Sequence, residues 1–483
     1  MSTKLDNLNE ITSLVSTKEK MNEGVLGMIK QFKAWSVLKP FASAKTQGIG
    51  LMQVLTDLIL QRLGGISVNV AQKTGLSEMD DNTDYRLMNN EFVNWRGILL
   101  SFAKQFVRCA KEKGDNNGGV KCFVVDDTDL PKAGKTIECI SKIFSHRLHG
   151  YILGIKLLVL SYCDTKSHIA CDCSLHRESK KNGYGLTAKE TKEQFHKHRS
   201  ENSYGAQRYA ELDAEKPSIV LSMLKRACRH GMLASYVLMD SWFITDGMIK
   251  GIRKIRKGMM HVIGICKMDK RKFEVGGKEM NSQTITKMNE VKKDKVHTSR
   301  KFHSDYMIVN ALYKGVSVRL FYIKYKHATS WTLLLTTDVS LSFAKAMELY
   351  QIRWSIEVMF KECKQYLRLG KAQNTDFDGQ VADVTLALIT HTILTLKKRF
   401  QSYETMGVLF REIQSKLLEA TIYERIYKLF LKLVAELLEY FGTDVNETIG
   451  RIINDDKTSK RVLVMLEAVN QLDTEERESE NVV

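Results

Sequence analysis

The chain has 483 residues, of which 43% are hydrophobic and 27% charged, so its composition excludes a disordered protein and predicts roughly two to four structural units. The net charge of +17 favours a polyanionic partner, either nucleic acid or an anionic membrane. No apolar run in the sequence reaches the length of a membrane span, and the polar start MSTKLDNLNEITS lacks the apolar core of a signal peptide, so we expect a cytoplasmic protein without a membrane partner.

Helical periodicity dominates the first part of the chain. The segments IGLMQVLTDLILQRL and NWRGILLSFAKQFVRCAKEK repeat apolar residues at helical spacing, which predicts a helical region over residues 1–113. Within it, VAQKTGLSEMD faintly resembles a helix-turn-helix, although plain helical packing is the favoured interpretation. GDNNGG at 114–119 then predicts a turn and the first domain boundary.

Strand patterns follow this turn. VKCFVVDDTDL is a short β-branched run that ends in acids, and GYILGIKLLVLSYCD and SHIACDCSLH continue as the strands of a hairpin. A helix with Pro217 near its start comes next. ASYVLMDSWF is a second short apolar run that ends in an acid, and ITDGMIKGIRKIRKG has helical periodicity. This alternation predicts an α/β core.

The segment HIACDCSLH places two histidines and two cysteines at spacings that a zinc site could use. We favour a structural strand, because zinc ligands usually lie in turns whereas this segment forms the return strand of a hairpin. In a strand, Cys171 and Cys173 share one face, and His168 and His176 lie on the other. The nine cysteines of the chain are odd in number and irregular in spacing, so we expect reduced, mostly buried thiols.

A basic stretch separates the two parts of the predicted core. Residues 250–301 contain sixteen Lys or Arg and five Asp or Glu, and strand-like pieces such as DYMIVNALY and VSVRLFYIKY lie nearby. We expect a β-rich insertion over 256–330 that contacts phosphates, with a merely solvated face as the alternative. SWTLLLTTD then predicts a buried strand. Beyond about residue 380 the chain is again helical and ends in an acidic tail.

Carboxylates follow two of the predicted core strands. Asp126, Asp127 and Asp129 come after CFVV, and Asp240 comes after YVLM. Sites in open α/β sheets form beyond the carboxyl ends of strands, and paired carboxylates there suit Mg²⁺ or Mn²⁺. Aspartate is also a common turn former and helix cap, which is the preferred interpretation for Asp129 and Asp246. For Asp126 and Asp240 alone, the two interpretations are evenly matched.

The segment YQIRWSIEVMFKECK lines up polar groups on one predicted helix. At about 100° per residue, Tyr350, Arg353, Glu357 and Lys364 fall within a stripe about 60° wide. Their spacing, Tyr-x2-Arg-x3-Glu-x6-Lys, resembles the signature of DDE transposases of the insertion-sequence-4 family. A surface ion pair with Lys361, four residues later, is the ordinary alternative for Glu357.

Two further motifs resemble those of the same family. VVDDT is similar to the first-aspartate motif and selects Asp126 over the adjacent Asp127, and LMDSWF is similar to the second, which gives Asp240. The similarity covers about residues 120–400, with a weaker extension in YRLMNNEFVNW. Three motifs in the same order make a chance match improbable.

The resemblance implies an RNase H-like catalytic core interrupted by the insertion, with helical N-terminal and C-terminal regions. It implies that Asp126, Asp240 and Glu357 bind two divalent ions, Mg²⁺ with Mn²⁺ as a substitute. Activated water then nicks DNA at a transposon end, and the freed 3′-hydroxyl attacks further DNA. The expected divisions are 1–113 (DNA binding), 120–255 and 331–400 (core), 256–330 (insertion) and 401–483 (dimerisation and tail).

The resemblance also implies a set of DNA contacts, with Arg353 and Lys364 on backbone phosphates and a displaced base stacked on tryptophan. A core residue at the start of a strand is an equal alternative for Trp331, and a solvated helix face is slightly favoured for Lys361. The implied DNA-binding residues are Tyr350, Arg353, Trp354, Lys361, Lys364 and Trp331.

The predicted function is therefore metal-dependent cleavage of transposon ends and strand transfer to target DNA, by cut-and-paste transposition. The expected partners are double-stranded inverted-repeat ends and target DNA, with a homodimer in the DNA complex, in the bacterial cytoplasm at the nucleoid. One alternative is a catalytically inactive DNA-binding protein derived from a transposase. Another is a general RNase H-like nuclease that needs no end sequence.

Overall fold

The computed structural model describes residues 27–417 except 75, 78, 115–118, 179–184, 291–294 and 402, together with isolated positions between 433 and 444. The acidic tail and most of the predicted C-terminal helices lie outside these residues. The helices are α1 Gly27–Gln31, α2 Ala34–Leu38, α3 Leu51–Leu63, α4 Val68–Thr74, α5 Asp81–Met88, α6 Trp95–Glu112, α7 Ala188–Lys192, α8 Tyr204–Ala210, α9 Lys216–Arg229, α10 Asp246–Ile255, α11 Ser282–Glu290, α12 Phe343–Gln351, α13 Ser355–Tyr366 and α14 Phe377–Phe400.

The strands form one twelve-stranded mixed sheet in the order β2-β3-β1-β5-β6-β12-β11-β10-β7-β8, with β4 paired to β3 and β9 paired to β10. The strands are β1 Cys122–Pro131, β2 Ser141–Ser145, β3 Gly150–Cys163, β4 His168–His176, β5 Tyr236–Met239, β6 His261–Cys266, β7 Lys272–Val275, β8 Lys278–Asn281, β9 His297–Ser299, β10 Ser304–Tyr313, β11 Val316–Tyr325 and β12 Thr332–Thr336.

The chain divides into two compact units. The five predicted segments and their functional roles stay a prediction. One unit comprises Met1–Ile29, Asn69–Glu78 and Arg411–Val483, of which the structure describes mainly helical residues. The other comprises Lys30–Val68 and Met79–Phe410, and it contains the whole sheet.

The described residues before β1 lie in helices and their connections, and a separate N-terminal region stays a prediction. Two of these helices have side-chain N-caps. The Asp80 side chain accepts a hydrogen bond from the backbone N–H of Asn82 at the start of α5, and the Asn94 side chain accepts one from the backbone N–H of Gly97 at the start of α6. Positions 75 and 78 of VAQKTGLSEMD lie outside the described residues, so the helix-turn-helix hypothesis stays a prediction. Most of GDNNGG also lies outside them.

The stretch expected to be an insertion is rich in strands, β6 to β11, with α11 among them. These strands do not form a separate layer. β12 pairs with β6 on one side and with β11 on the other, so β11, β10, β7 and β8 extend the core sheet outward. The predicted strand SWTLLLTTD is confirmed as β12, whose central residues are fully buried.

Strand β1 is longer than predicted. The acids were expected to follow the strand, but β1 runs through Asp126, Asp127 and Asp129 to Pro131 and pairs with β3 along this whole length. Its parallel neighbour β5 pairs only with the first four residues, Cys122–Val125. The first acid, Asp126, therefore follows the last residue of β1 that pairs with β5. All three acids still lie within β1, because β3 continues to pair with it.

The return strand HIACDCSLH is confirmed as β4, buried throughout. The prediction that His168 and His176 share one face of this strand is wrong. The pairing of β4 with β3 shifts by one residue between Leu160 and Ser161, as at a β-bulge, and this shift exchanges the faces on its two sides. His168 consequently contacts Ser355 of α13, whereas His176 lies near Lys216 of α9. All nine cysteines are free, and eight are buried, as predicted.

The helix expected over residues 350–364 is interrupted. α12 ends at Gln351, a 3₁₀ turn covers Ile352–Trp354, and α13 begins at Ser355. The following helix α14 is long and apolar enough to cross a membrane by composition alone, contrary to the expectation that no run has this length. Its apolar window is entirely buried in the protein, as in the central helix of a packed core.

Candidate active site

The sheet register places two of the predicted carboxylates side by side. β1 and β5 run parallel, and their last paired residues are Val125 and Met239. Asp126 and Asp240 each follow directly, so both lie at the same edge of the parallel pair. Asp240 Oδ1 accepts the backbone N–H of Ser241 at 2.6 Å, which fixes the turn after β5.

Strand alternation turns one face of β1 toward α13. Arg353 donates to Asp126 Oδ2 at 3.1 Å, and Lys364 donates to the Thr128 hydroxyl at 2.6 Å. Residues two apart on a strand share a face, so Asp126 and Thr128 form one row beneath the polar side of α13. Arg353, Glu357 and Lys364 thus all face β1, as the predicted stripe requires, although Arg353 lies in the 3₁₀ turn and the other two residues lie in α13.

The other face of β1 carries structural ion pairs. Asp127 pairs with Lys216 of α9, and Asp129 pairs with Lys156 of β3 at 2.9 Å. Because Asp127 points away from α13, the geometry places Asp126 rather than Asp127 beside Glu357. Asp129 therefore has a structural role, but as an ion-pair partner inside β1 and not as the predicted turn former or helix cap.

Arg353 joins the first and third predicted carboxylates. Its guanidinium donates to Asp126 at 3.1 Å and to Glu357 Oε1 at 2.8 Å, and only 14% of its side chain is exposed. The Tyr350 ring lies 5.8 Å from the guanidinium carbon. Burial alone would lower the pKa of Arg353, but Tyr350 and the two carboxylates raise it. The ion-pair partner of Glu357 is therefore Arg353, rather than Lys361.

The Asp126 carboxyl is strongly perturbed. Burial raises its pKa to about 7, against the lowering effect of the Asp127 backbone N–H and of Arg353. The charges of Asp127 and Asp240 are smaller causes of the same raised pKa. A carboxylate held among other carboxylates in a partly dry site is poorly solvated and benefits from added positive charge.

The three carboxylates supply hard oxygen donors of the kind that Mg²⁺ binds. Among the residues that the structure describes, no three His, Cys, Asp or Glu side chains lie together as a preformed metal site. Asp126 and Glu357 share instead the guanidinium of Arg353, a cation of the protein itself. The donor chemistry therefore fits a divalent ion, on the condition that Arg353 releases these oxygens.

The remaining predicted contact residues differ in exposure. Trp354 is 61% exposed, and Lys361 is exposed on the same helical segment. Trp331 is half-buried just before β12, where its indole N–H donates to Glu290 at 2.7 Å. Trp331 thus lies at a strand start, as its alternative interpretation expects, but it is only half-buried, and its indole N–H already has a partner.

Sequence reasoning missed an aromatic residue close to Asp240. Trp242 is 52% exposed, packs edge-on against the buried Phe243, and has the Lys216 ammonium 5.6 Å from its ring centre. Lys216 in turn pairs with Asp127. The signal was present, since Trp242 is part of LMDSWF, but exposure of a tryptophan cannot be deduced from an apolar motif. Asp246 begins α10 after the cap Thr245, in agreement with its predicted structural role.

Two family models match overlapping parts of the chain. Residues 213–393 match the family model of the transposase DDE domain, and residues 79–257 match that of the DDE superfamily endonuclease. The first match contains Asp240, Arg353 and Glu357, and the second contains Asp126 and Asp240. No curated protein matches the chain. The two family matches support a DDE transposase with an RNase H-like core.

Proposed function

We propose that this protein is a transposase of the insertion-sequence-4 type, which cuts the ends of its element and joins them to target DNA by cut-and-paste transposition. The observation that carries the proposal is the bridge from Arg353 to both Asp126 and Glu357, with Asp240 in register beside Asp126. Acidic residues from distant parts of the chain thus converge at one sheet edge, as a single reaction centre requires. The transposase and endonuclease matches support the same class.

Asp126, Asp240 and Glu357 would hold two divalent ions, Mg²⁺ with Mn²⁺ as a substitute. When bound, such ions activate water and stabilise the attacking and leaving oxygens of a phosphoryl displacement. DDE superfamily enzymes generally use divalent metals, which agrees with this donor set. The contribution of the chain is to collect three half-buried carboxylates, among which the charge of Asp240 raises the pKa of Asp126 and so favours a cation there.

Arg353 and Lys364 are proposed to hold the DNA backbone. Arg353 is positioned to exchange its two carboxylates for a phosphate, which a guanidinium can bind through two parallel hydrogen bonds. Lys364 of α13 contacts Thr128, which is two residues after Asp126 on β1, and its ammonium would act as a point charge on a neighbouring phosphate. The phenol of Tyr350 lies beside Arg353 and would contact phosphate near the cleaved bond.

Exposed aromatic rings would stack on bases that are displaced from the DNA double helix. Trp354 is the best placed of the two predicted tryptophans, because Trp331 already donates its indole N–H to Glu290. Trp242 is a third candidate, exposed next to Asp240. Lys361 is proposed to add a peripheral phosphate contact. Stacking of this kind contributes roughly 1–3 kcal/mol per base.

The partners proposed are the inverted-repeat ends of the element and a target duplex, with two copies of the chain holding the two ends in the cytoplasm. The helical N-terminal region and the basic stretch 250–301 are expected to supply further DNA contacts, consistent with a net charge of +17. A catalytically inactive DNA-binding descendant is the alternative function. It is disfavoured because all three acidic residues are present, with Asp126 and Glu357 bonded to Arg353 and Asp240 in register beside Asp126.

The test is Mg²⁺-dependent nicking of DNA that carries the ends of the element. Wild-type protein should nick it, and Glu357→Gln should bind the same DNA without nicking. Glu348→Gln is the matched control, since Glu348 is a 40% exposed glutamate of the preceding helix α12, where it pairs with Lys301. Nicking by Glu357→Gln at the wild-type rate would disprove the assignment of the carboxylates, and binding without nicking by the wild type would establish the inactive alternative.

A further inference from the structure

Strand β1 continues far past the end of its parallel neighbour β5. The last paired residues of the two strands are Val125 and Met239, whereas β1 runs on to Pro131 with β3 still paired to it. At about 3.3 Å per residue, Asp126 and Lys132 lie about 20 Å apart along this extension. A DNA duplex rises by about 3.4 Å per base pair, so the extension is as long as about six base pairs.

Residues 364–372 follow one face of this extension away from the carboxylates. Lys364 donates to the Thr128 hydroxyl at 2.6 Å. Further along, a Cβ added at Gly370 would lie 3.0 Å from a side-chain methyl carbon of Leu130. Gly370 also has a φ of +79°, which a residue with a Cβ adopts only with strain. The chain after α13 therefore lies directly against β1, on the face that also carries Asp126.

A buried lysine fastens the end of this segment to β1. Lys132 is 7% exposed, and its ammonium donates to the carbonyl oxygen of Gly370 at 3.1 Å and to that of Ala372 at 2.8 Å. Lys371 lies between these two carbonyls. Its backbone N–H donates to the carbonyl of Arg368 at 3.0 Å, and its side chain is exposed. Because a buried ammonium loses free energy when its hydrogen bonds break, the backbone on both sides of Lys371 is firmly held.

The charges along this face suit a chain of phosphates. Residues 361–372 contain four Lys or Arg and one acid, Glu362, whose carboxylate is bonded to His391 at 2.8 Å. Lys371 thus continues the line of cations beyond Lys364, in the direction in which β1 runs. A polyanion of regular spacing supplies negative charge along such a line. A lysine that is merely solvated needs no fixed backbone, whereas a fixed backbone lowers the entropy cost of binding a phosphate.

We propose that Lys371 binds a backbone phosphate of the element's duplex about six base pairs from the cleaved bond, and that Lys132 is a positioning residue that holds it there. This inference rests on the proposed function, which places the cleaved bond at Asp126 and a phosphate at Lys364. The duplex then lies along the extension of β1. The clamp of Lys132 on both neighbours of Lys371 sets the distance between the two ends of the contact.

The experiment measures binding of the full-length protein to uncut duplex carrying the element's end, without divalent ion, with one phosphate at a time replaced by a neutral methylphosphonate. The wild type should lose about threefold in affinity when a phosphate about five to seven base pairs from the junction is neutralised. Lys371→Gln should bind the unmodified duplex about threefold more weakly and lose nothing further at these phosphates. Lys132→Met should also lose this positional effect. Lys225→Gln is the matched control, because Lys225 is an exposed lysine of α9 and should keep the wild-type pattern.

A positional loss that persists in Lys371→Gln would overturn the contact, as would a wild type that shows no loss at these phosphates or an equal change in Lys225→Gln. Lys371 is exposed, so thermal unfolding of Lys371→Gln should match the wild type, and this variant tests the contact whether or not Lys132→Met folds. A loss that persists only in Lys132→Met would overturn the positioning role. Because binding is measured without cleavage, a wild type that shows the pattern but never nicks overturns the proposed catalysis alone. A wild type that binds no element end overturns both.

Discussion

Replacement of Arg353 by methionine should tighten the binding of a divalent cation, even though it removes a residue of the candidate active site. The guanidinium hydrogen-bonds to Asp126 at 3.1 Å and to Glu357 at 2.8 Å. A divalent ion that uses the same carboxylate oxygens must displace it. Without the guanidinium, the ion meets neither this competition nor the repulsion of a neighbouring positive charge.

The size of the effect follows from the exposure of the three side chains. A hydrogen bond to a charged group contributes about 1.5–3 kcal/mol when shielded from water, but Asp126 is 19% exposed and Glu357 36% exposed. Discounted for solvent screening, the two bonds together oppose the ion by about 2 kcal/mol, which corresponds to about 30-fold in affinity.

The assay is calorimetric titration of the DNA-free protein with Mg²⁺ at about pH 8.5. This pH matters because burial raises the pKa of Asp126 to about 7, and loss of the arginine raises it further, so protons compete with the ion at neutral pH. Lys361→Met is the control, since it removes one charge from the exposed side of the same helical segment.

Arg353→Met should bind Mg²⁺ about 30-fold more tightly than the wild type, and Lys361→Met should change the affinity by less than about threefold. Equal affinities of the two variants would refute the competition between Arg353 and the ion. Weaker binding by Arg353→Met would mean that the arginine orders the carboxylates instead of competing for them.

Three further predictions concern other parts of the chain. Trp242→Ala should weaken binding to element ends by about 1–3 kcal/mol and Trp242→Phe by much less, so equal binding in a fluorescence titration would exclude stacking there. Lys364→Ala should reduce the log–log salt slope of duplex binding by about 0.9, and an unchanged slope would remove its phosphate contact. Burial lowers the pKa of His168 to about 3, below its value of about 6.5 in the unfolded chain, so the unfolded state binds the proton first and stability should fall as the pH drops below about 6.5. His168→Asn should flatten this fall in thermal unfolding, and a parallel pH profile in both proteins would contradict it.

Much of the core could be predicted because the short apolar runs in the sequence are also the segments that the folded protein buries. The buried runs before Asp126 and Asp240 form β1 and β5, and their parallel register brings the two aspartates together. The approach of Glu357 could be expected only from the family motif, since nothing local to α13 indicates which strand it faces. The structure supplies that link through Arg353.

The extent of β1 was underestimated because acids are poor strand formers by propensity. Tertiary contacts override this preference: Lys216 neutralises Asp127, Lys156 neutralises Asp129, and β3 pairs along the entire strand. Neither lysine is near the acids in sequence, so local pattern could not indicate them. Because β1 continues through the acids, successive side chains point to opposite faces of the sheet, and Asp126 and Asp127 therefore lie on different faces.

The interruption before α13 escaped prediction for a different reason. A 3₁₀ turn of three residues, Ile352–Trp354, changes the rotation per residue only slightly, and apolar periodicity does not resolve it. The β-bulge in β4 likewise depends on the pairing with β3 and not on the composition of HIACDCSLH. The exposure of Trp242 depends on the whole tertiary structure, which is why this residue was not chosen from the sequence.

The most direct measurement of the central claim is the position of the cut. Full-length protein should be incubated with Mg²⁺ and linear DNA in which the element's end is joined to unrelated flanking sequence, and the products mapped to the nucleotide. We predict a 3′-hydroxyl at the junction between the inverted repeat and the flank, absent from Glu357→Gln and from DNA with a scrambled repeat. Cuts distributed over the DNA regardless of the repeat would contradict a transposase and indicate a general nuclease.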